Sequence, residues 1–307
     1  MKFISAQPAI DYYALQVEVY IHNFLSINVL QQDIHVLGAY DEVIPHSWKS
    51  LEEAFPQVGF FFYKDTRTEK GYIPSIQPHI LKKHFAVNKY LETEPIFYHD
   101  CDFIFTRPFD FTPFLSDDNW YFSDTVAYIG AEYIKSKGEE VFLKMCSLAD
   151  IDPLLVESNQ RHSGGAQKLI KNATHQYWHQ VEVDANNIYL GLGELKNKRN
   201  NGDPYGVQIW CASMWSELWN AWKRGHNVVV PPEFDFAWAT CPSSRWETVN
   251  FFHNAGVPGG EKTMFHKGSY RTKLPYGQGL EVDKGRCSYY YYDWIKRVEN
   301  KTCLKKH

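Results

Sequence analysis

The sequence has no large excess of charge of either sign, and this limits the partners that it could bind unspecifically. Its 307 residues carry 32 Lys and Arg against 36 Asp and Glu, which gives a formal net charge of -4. A general nucleic-acid-binding protein carries an excess of basic residues that neutralises the phosphate backbone. The composition therefore argues against nonspecific nucleic-acid binding as the main function.

Long apolar runs and paired cysteines are also missing. No apolar stretch approaches the roughly 20 residues that a transmembrane helix needs, and the opening segment MKFISAQPAIDYY lacks the apolar core of a signal peptide. The six cysteines are spread widely, with no C-x-x-C pair. We therefore expect a cytoplasmic protein with reduced cysteines and no transmembrane segment.

Aromatic residues, in contrast, are abundant. The chain contains 10 Trp, 20 Tyr and 20 Phe, and 44% of its residues are hydrophobic. A chain of this size can bury a sizeable core, in one large domain or two closely packed ones. The rings either fill that core or stack on sugars and bases, because flat rings suit both.

Apolar runs over the first hundred residues predict strands that alternate with helices. The expected strands cover residues 2–7, 33–40, 58–65 and 95–99. A helix is expected between the first two, and another over 75–91, where Ser75 can cap it and Pro78 fits its first turn. This order favours an α/β domain with a parallel sheet.

The second half of the sequence is less regular. Helices are expected over residues 131–147 and 165–180, and a polar, Gly-rich loop is expected over 190–206. Four apolar residues then fall on one helical face, and we interpret this stripe as core: Trp215, Leu218, Trp219 and Trp222.

Two carboxylates stand one residue apart in the stretch IFYHDCDFIF, which otherwise resembles a buried strand. Asp100 and Asp102 follow the fourth strand, and ligands of open α/β sheets bind at the carboxyl ends of strands. On extended backbone, residues i and i+2 point to the same side, so both can face one cation. Because buried charges need a partner, we interpret the pair as a Mg²⁺ or Mn²⁺ site instead of a solvated turn.

A third ligand should come from a distant part of the chain. His253, in VNFFHNAGV, ends an apolar strand and precedes small residues, Gly256 among them, that allow close approach of a ligand. His266, in MFHKGSY, is a rival ligand, and Lys267 beside it is well placed to meet a phosphate. The choice between the two histidines stays open at this point.

Together these residues resemble the metal-dependent GT-A glycosyltransferases. Those enzymes have a Rossmann-like N-terminal half, a D-x-D motif after the fourth strand, and a late strand-end His that supplies a third metal ligand. The similarity extends over most of the chain, to a group of GT-A-like proteins from microbes and viruses, through the segments SAQP, YIPSIQPHILKKHF, FYHDCDFIF, SGGAQ, QIWCASMWSELW and FFHNAGV.

The resemblance implies a fold, an organisation and a reaction. The fold would be α/β, of the Rossmann-like GT-A type, with a mixed central sheet flanked by helices. Residues 1–125 would form the donor-binding half and the aromatic-rich residues 126–307 the acceptor half, closely packed as one domain. A hexosyltransferase-like enzyme would move a sugar from a nucleoside-diphosphate sugar to an acceptor hydroxyl, with Mn²⁺ or Mg²⁺ stabilising the leaving diphosphate.

The donor should lie over the ends of the first strands and beside the metal. Basic residues of the helix before D-x-D touch the donor in related enzymes, and a Gly pair in HSGGAQ lets a sugar approach the backbone. The residues expected to bind the donor are Ala6, Gln7, Asp65, Arg67, His79, Lys82, Asp100, Gly164, Gly165, Gly256 and Lys267.

The acceptor could be a glycan or a modified nucleic-acid base. An inverting enzyme needs a general base, for which Asp235 is the first candidate and Glu233 the second. Gln167 is a further catalytic candidate beside the transferred sugar.

Two alternatives remain: a metal-dependent phosphatase of the haloacid-dehalogenase type, which also uses D-x-D, and a non-catalytic carbohydrate-binding protein. Ile104 stands where the phosphatase motif has Thr or Val.

Overall fold

A computed structural model describes residues 1–198 and 207–304. Within these ranges the strands are β1 Lys2–Pro8, β2 Ile34–Tyr40, β3 Gly59–Lys64, β4 Ile96–Tyr98, β5 Phe103–Phe105, β6 Trp120–Asp124, β7 Gly164–Ile170, β8 Val228–Val229, β9 Phe236–Trp238 and β10 Phe251–His253. The helices are α1 Asp11–Ser26, α2 His46–Ala54, α3 Ile76–Val87, α4 Val126–Ile129, α5 Ala131–Lys135, α6 Glu139–Leu148, α7 Pro153–Ser158, α8 His175–Lys198, α9 Ala212–Lys223 and α10 Ser288–Glu299.

The predicted α/β class is confirmed. Seven strands belong to a mixed sheet with helices on it, and β5, β10 and β9 form a smaller sheet. By its internal contacts the chain divides into two compact units, each assembled from separate stretches. The predicted division into donor and acceptor halves at residue 125 concerns ligand binding and stays a prediction.

The first unit consists of Met1–Lys64, Tyr98–Phe111 and Glu233–His307. In it β1 pairs in parallel with β2, and β2 in parallel with β3, as the early alternation of strand and helix predicts. In the smaller sheet, β10 pairs antiparallel with β5 and parallel with β9. Much of the aromatic content packs between these sheets and α1, where the rings of Phe24 and Phe251 lie 4.9 Å and 5.6 Å from that of Phe105. These rings are core.

The second unit consists of Asp65–Phe97 and Thr112–Pro232. Here β6 pairs antiparallel with β7 and parallel with β8, while α8 packs against α3 and α9. The aromatic stripe of α9 is buried, as predicted, with Trp215 and Trp219 fully enclosed.

The predicted strands β1 to β4 and the helix α3 are confirmed, but the later predictions contain errors. The expected helix over 165–180 is wrong, because GGAQKLI is the fully buried strand β7 and α8 begins only at His175. The expected helix over 131–147 is split into α5 and α6 by Gly138, whose φ of 137° breaks a right-handed helix.

The helix α2 was not predicted, and the loop after α8 was placed too early. The helix has nine residues, of which only three are buried, so its apolar face is too short to give a clear helical repeat. The loop expected over 190–206 is helical up to Lys198; its remaining residues, and the last three of the basic tail, lie outside the described residues.

No helix in the described part of the chain is both long enough and apolar enough to cross a bilayer. The cytoplasmic location stays a prediction from cysteine content.

One buried histidine should make the first unit sensitive to acid. His35 in β2 is 4% exposed, and burial lowers its pKa to about 4, whereas an unfolded histidine has a pKa of about 6.5. Because the unfolded chain takes up the proton first, stability should fall as pH drops from about 6.5 to 4, by up to about 3 kcal/mol. Urea unfolding of wild type and His35→Leu at several pH values measures this effect. If the free energy of unfolding depends on pH equally in both proteins, the prediction is contradicted.

Candidate metal centre

The paired aspartates lie in the turn that joins β4 to β5. The backbone N–H of Phe103 donates to the carbonyl of Asp100 at 3.2 Å, which closes the turn. The expectation of extended backbone across the motif is therefore wrong, although both side chains still reach one place. The Asp102 side chain is 4% exposed and that of Asp100 is 45% exposed. One carboxylate is thus fixed inside the protein and the other faces outward.

The third side chain arrives through the pairing of β10 with β5. Phe252 pairs with Ile104 and His253 with Phe103, and the next backbone N–H, from Asn254, donates to the carbonyl of Asp102 at 3.0 Å. This register places His253 beside the turn. Of the two candidate histidines, His253 therefore joins the aspartates, whereas His266 lies 2.9 Å from the Ser269 hydroxyl.

The three side chains converge on one point. The Nε2 atom of His253 lies 3.2 Å from an Asp102 oxygen and 3.5 Å from an Asp100 oxygen. One ligand atom of each residue lies within 4.8 Å of the others. Two carboxylates and one imidazole suit a divalent cation such as Mn²⁺ or Mg²⁺ and leave coordination positions for a second molecule.

Lys267 also reaches this centre, and its ammonium group forms an ion pair with Asp102. Burial alone raises the pKa of Asp102, but Lys267 and His253 outweigh it and hold that pKa well below its usual range. Burial lowers the pKa of His253, and the Asp102 charge outweighs this and raises it. The carboxylate of Asp102 therefore stays ionised, as a metal ligand must.

Several supporting residues were not predicted. The His99 ring donates from Nδ1 to the Asp100 carbonyl at 2.9 Å, and the Tyr98 hydroxyl lies 3.4 Å from the Asp100 carboxylate. Trp238 stacks on the His253 ring, with centroids 5.3 Å apart. His99 directly precedes Asp100 in the sequence, so its role beside the motif could have been predicted. The contact with Trp238 depends on strand pairing, which one sequence does not reveal.

Lys267 should compete with a metal ion for Asp102. Replacing it by Met should tighten Mn²⁺ binding in the absence of nucleotide by about tenfold or more, since a charge-assisted bond contributes roughly 1.5–3 kcal/mol. Isothermal titration with MnCl₂ measures the change. Lys262→Met is the matched control, because Lys262 is exposed nearby in sequence. Unchanged or weaker Mn²⁺ affinity in Lys267→Met would show that the lysine does not occupy the cation's place.

The first unit contains several of the other predicted donor residues. Ala6 and Gln7 lie in β1, but the Gln7 amide donates to the Leu37 carbonyl at 2.9 Å, so its side chain holds the neighbouring strand. Gly256 has a φ of 84°, and among the described residues the only atom within 4 Å of a Cβ added to it is the Thr240 hydroxyl oxygen, at 3.9 Å. This leaves room for a ligand against the Gly256 backbone.

The remaining donor candidates lie in the second unit, where they bind protein partners. The guanidinium of Arg67 holds the Asp65 carboxylate with two bonds of 3.0 Å and 2.9 Å. His79 and Lys82 both contact Glu182 of α8, His79 at 2.7 Å. Asp65 with Arg67 and Lys82 with Glu182 are ion pairs, and His79 lies within hydrogen-bond distance of Glu182, so each of these predicted donor contacts has a protein partner.

The glycine pair and Gln167 also have local roles. A Cβ on Gly164 would lie 2.4 Å from the Phe122 Cβ, and one on Gly165 would lie 2.4 Å from the Met214 side chain. Gln167 accepts a 2.9 Å bond from the Ser123 hydroxyl. Close packing of β7 against β6 therefore accounts for Gly164 without a ligand, whereas the methyl end of Met214 could move aside for a Cβ on Gly165.

The two candidate bases differ in their surroundings. Asp235 pairs with Arg245 and also accepts a 2.7 Å bond from the Phe236 backbone N–H. The Glu233 side chain is exposed. The carboxylate of Asp235 is thus engaged, and that of Glu233 faces solvent.

Comparison with known proteins gives structural matches only. No protein-family model matches the chain, and no curated protein matches it in sequence. A glycosyltransferase involved in the glycosylation of the major capsid of PBCV-1 has 12% identity and a TM-score of 0.42, over 83% of this chain and 94% of that one. Mouse xyloside xylosyltransferase 1 has 9% identity and a TM-score of 0.39, over 83% and 98%.

A third match is the glycosyltransferase GlyE of Streptococcus pneumoniae TIGR4, with 10% identity and a TM-score of 0.43, over 98% of this chain and 63% of that one. All three neighbours are glycosyltransferases. Asp100, Asp102 and His253, which the GT-A resemblance implies as metal ligands, form a cluster that could hold a metal ion. The TM-scores of the neighbours lie below 0.5, so no residue role transfers from them to this chain.

Proposed function

We propose that this chain is a metal-dependent glycosyltransferase that moves a sugar from a nucleoside-diphosphate sugar to an acceptor hydroxyl. The observation that carries the proposal is the convergence of Asp100, Asp102 and His253 from two distant stretches of the chain. A buried carboxylate, an exposed one and an imidazole together can bind a divalent cation and leave one side open to a diphosphate.

The residues present fit such a cation. Asp102 supplies a buried ionised oxygen, His253 a ring nitrogen fixed by stacking on Trp238, and Asp100 an oxygen on the outer side. Oxygen ligands favour Mg²⁺ or Mn²⁺, and the imidazole favours Mn²⁺ of the two. When bound, the cation would supply Lewis-acid stabilisation of the charge that develops on the leaving diphosphate.

Other residues of the first unit would bind and orient the donor. Lys267 is 29% exposed and pairs with Asp102, so its ammonium group can turn to a phosphate oxygen once Asp102 binds a cation. The open backbone at Gly256 can approach the same group. The binding roles of the remaining predicted donor residues stay part of the proposal. To bind the donor, these side chains would have to exchange their present protein partners for donor atoms.

Transfer with inversion at the sugar carbon needs a base near the acceptor hydroxyl. Glu233 is favoured over Asp235 for this role, since Asp235 would first have to leave Arg245. A glycan is the acceptor class that we propose, as the resemblance to the GT-A glycosyltransferases suggests.

The phosphatase alternative receives no support from the geometry. It requires the second aspartate to donate a proton to a leaving group. Asp102 instead accepts bonds from Lys267 and lies 3.2 Å from the His253 nitrogen, which favours its ionised form. A carbohydrate-binding protein without catalysis would not need the triad of Asp100, Asp102 and His253.

A thermal-shift panel tests the proposal. The melting temperature of wild type and Asp102→Asn is measured with UDP, GDP, CDP, ADP and their sugars, with and without Mn²⁺. A ligand that binds only the folded state raises the melting temperature by mass action. We expect one nucleotide to stabilise wild type only when Mn²⁺ is present, and Asp102→Asn to lose this response.

Asp118→Asn is the matched control, since Asp118 is an exposed aspartate outside the triad. It should respond as wild type does. If no nucleotide stabilises wild type in a metal-dependent way, or if Asp102→Asn responds equally well, the proposed donor site is wrong. The nucleotide that stabilises wild type is then supplied as its nucleoside-diphosphate sugar together with Mn²⁺. Release of the nucleoside diphosphate shows turnover.

A further inference from the structure

Two cysteines of the first unit face each other across a short antiparallel bridge. Pro242 pairs with Arg286 in this bridge. The N–H of Ser243 donates to the Gly285 carbonyl at 2.8 Å, and the N–H of Cys287 donates to the Cys241 carbonyl at 2.9 Å. In this register Cys241 stands directly opposite Cys287.

This placement has the spacing that a disulfide requires. Residues directly opposite in a hydrogen-bonded antiparallel pair have Cα atoms about 5.5 Å apart, and disulfides span Cα distances of roughly 4.4–6.8 Å. Opposite residues also point to the same face. The Cys287 thiol lies 3.1 Å from the Pro242 carbonyl, so its sulfur is directed toward the chain segment that carries Cys241.

The two thiols differ in accessibility, which sets their order of reaction. Cys241 is partly exposed, whereas Cys287 is buried. Burial, with a contribution from nearby Cys241, raises the pKa of Cys287 to about 11. Because the thiolate is the attacking species, Cys241 should react first with a soluble oxidant and Cys287 should follow more slowly.

We propose that Cys241 and Cys287 form a reversible intramolecular disulfide when the protein meets a small-molecule disulfide. The Cys241 thiolate attacks the reagent, forms a mixed disulfide and expels one thiolate. The Cys287 thiolate then attacks the Cys241 sulfur, forms the protein disulfide and expels the second. Two protein thiols are oxidised, one reagent disulfide is reduced to two thiols, and the two protons pass to the expelled thiolates.

The bond would connect the start of α10 to the segment that follows β9. Ser288, the first residue of α10, already donates its N–H to the Ala239 carbonyl at 3.0 Å. Three residues before Cys241 lies Trp238, whose ring stacks on His253. The disulfide would therefore restrain the segment that supports the metal-binding histidine. This inference does not depend on glycosyl transfer.

Peptide mapping after treatment with glutathione disulfide tests the proposal on the folded, full-length protein. Trypsin separates the two cysteines into peptides 225–245 and 287–296, each with a single cysteine. We expect a non-reducing digest to contain these peptides linked, and the thiol count to fall by two from six. Dithiothreitol should restore both peptides and all thiols.

Three variants make the result specific. Cys287→Ser should stop at the glutathione adduct on Cys241, and Cys241→Ser should give no linked peptide. Cys303→Ser removes another partly exposed cysteine and should link normally. Far-UV circular dichroism confirms that each variant is folded. Stable glutathionylation of Cys241 in wild type, linkage to another cysteine, or no reaction at Cys241 would each overturn the proposal.

Discussion

Replacing Asp102 by Asn should lower metal-dependent sugar transfer by about a thousandfold in kcat, the scale at which loss of one preorganised electrostatic group acts. The amide keeps the shape of the side chain but removes the charge that binds the cation. It also replaces one of the two oxygens that face His253 and Lys267 by an NH2 group, which cannot accept a hydrogen bond from either residue. Steady-state kinetics at saturating donor and several Mn²⁺ concentrations measures the loss.

Asp100→Asn separates this effect from a general loss of charge. Asp100 is 45% exposed and its loss leaves the Lys267 pair intact, so we expect a smaller decrease and a raised Mn²⁺ requirement. Asp118→Asn should be unchanged. Circular dichroism and thermal unfolding check that Asp102→Asn is folded. Wild-type turnover in a folded Asp102→Asn variant would show that the triad is not the catalytic metal site.

The largest stability effect is expected from the buried ion pair of the second unit. Lys168 in β7 pairs with Glu217 in α9, and their side chains are 4% and 1% exposed. The amide of Gln77 also donates to Glu217 at 2.6 Å. Lys168→Met leaves the Glu217 carboxylate buried without its cation, so the free energy of unfolding should fall by about 3–5 kcal/mol. Urea denaturation measures it.

A double variant identifies the cause. Lys168→Met with Glu217→Leu removes both charges and should recover most of the lost stability, because a well-packed apolar pair can replace a buried ion pair. Lys135→Met, which breaks a surface pair with Glu157, should change stability far less. If the double variant is as unstable as Lys168→Met, packing and not the unpaired carboxylate is responsible.

The cluster of Asp100, Asp102 and His253 could be predicted because its signals are local. Asp100 and Asp102 are charged residues inside an apolar stretch, and His253 ends an apolar strand. Each position indicates a strand end, and strand ends of α/β proteins meet at ligand sites. That His253, and not His266, lies beside the aspartates follows from the register of β10 with β5, which no single stretch encodes.

The least predictable feature of the sequence was which charged residues pair with one another. Arg67 and Lys82 were expected at a ligand, but each has a carboxylate partner in the protein. Asp65 is only two residues from Arg67, so that pair was within reach of sequence reasoning, whereas Glu182 is 100 residues from Lys82. A charge in a sequence shows that a partner is needed and does not show whether that partner is protein or ligand.

The fold errors have the same origin. The strand β7 has seven consecutive buried residues, so it lacks the alternation that identifies a strand with one solvated face. The sequence predicts that Gly164 and Gly165 contact a sugar. A Cβ on Gly164 would lie 2.4 Å from the Phe122 Cβ, so packing alone requires glycine there, whereas Gly165 faces the movable end of Met214. Burial on both faces is decided by the rest of the fold.

The pairing of β10 with β5 also has a consequence for how the protein is made. Asp102 and His253 are 151 residues apart in the sequence. A ribosome adding roughly 5–20 residues per second needs about 8–30 s to pass from one to the other. During that interval the nascent chain carries the aspartate pair without its histidine or Lys267. The candidate metal centre can therefore form only late in synthesis, and a chain interrupted before residue 253 would have the D-x-D motif without the histidine.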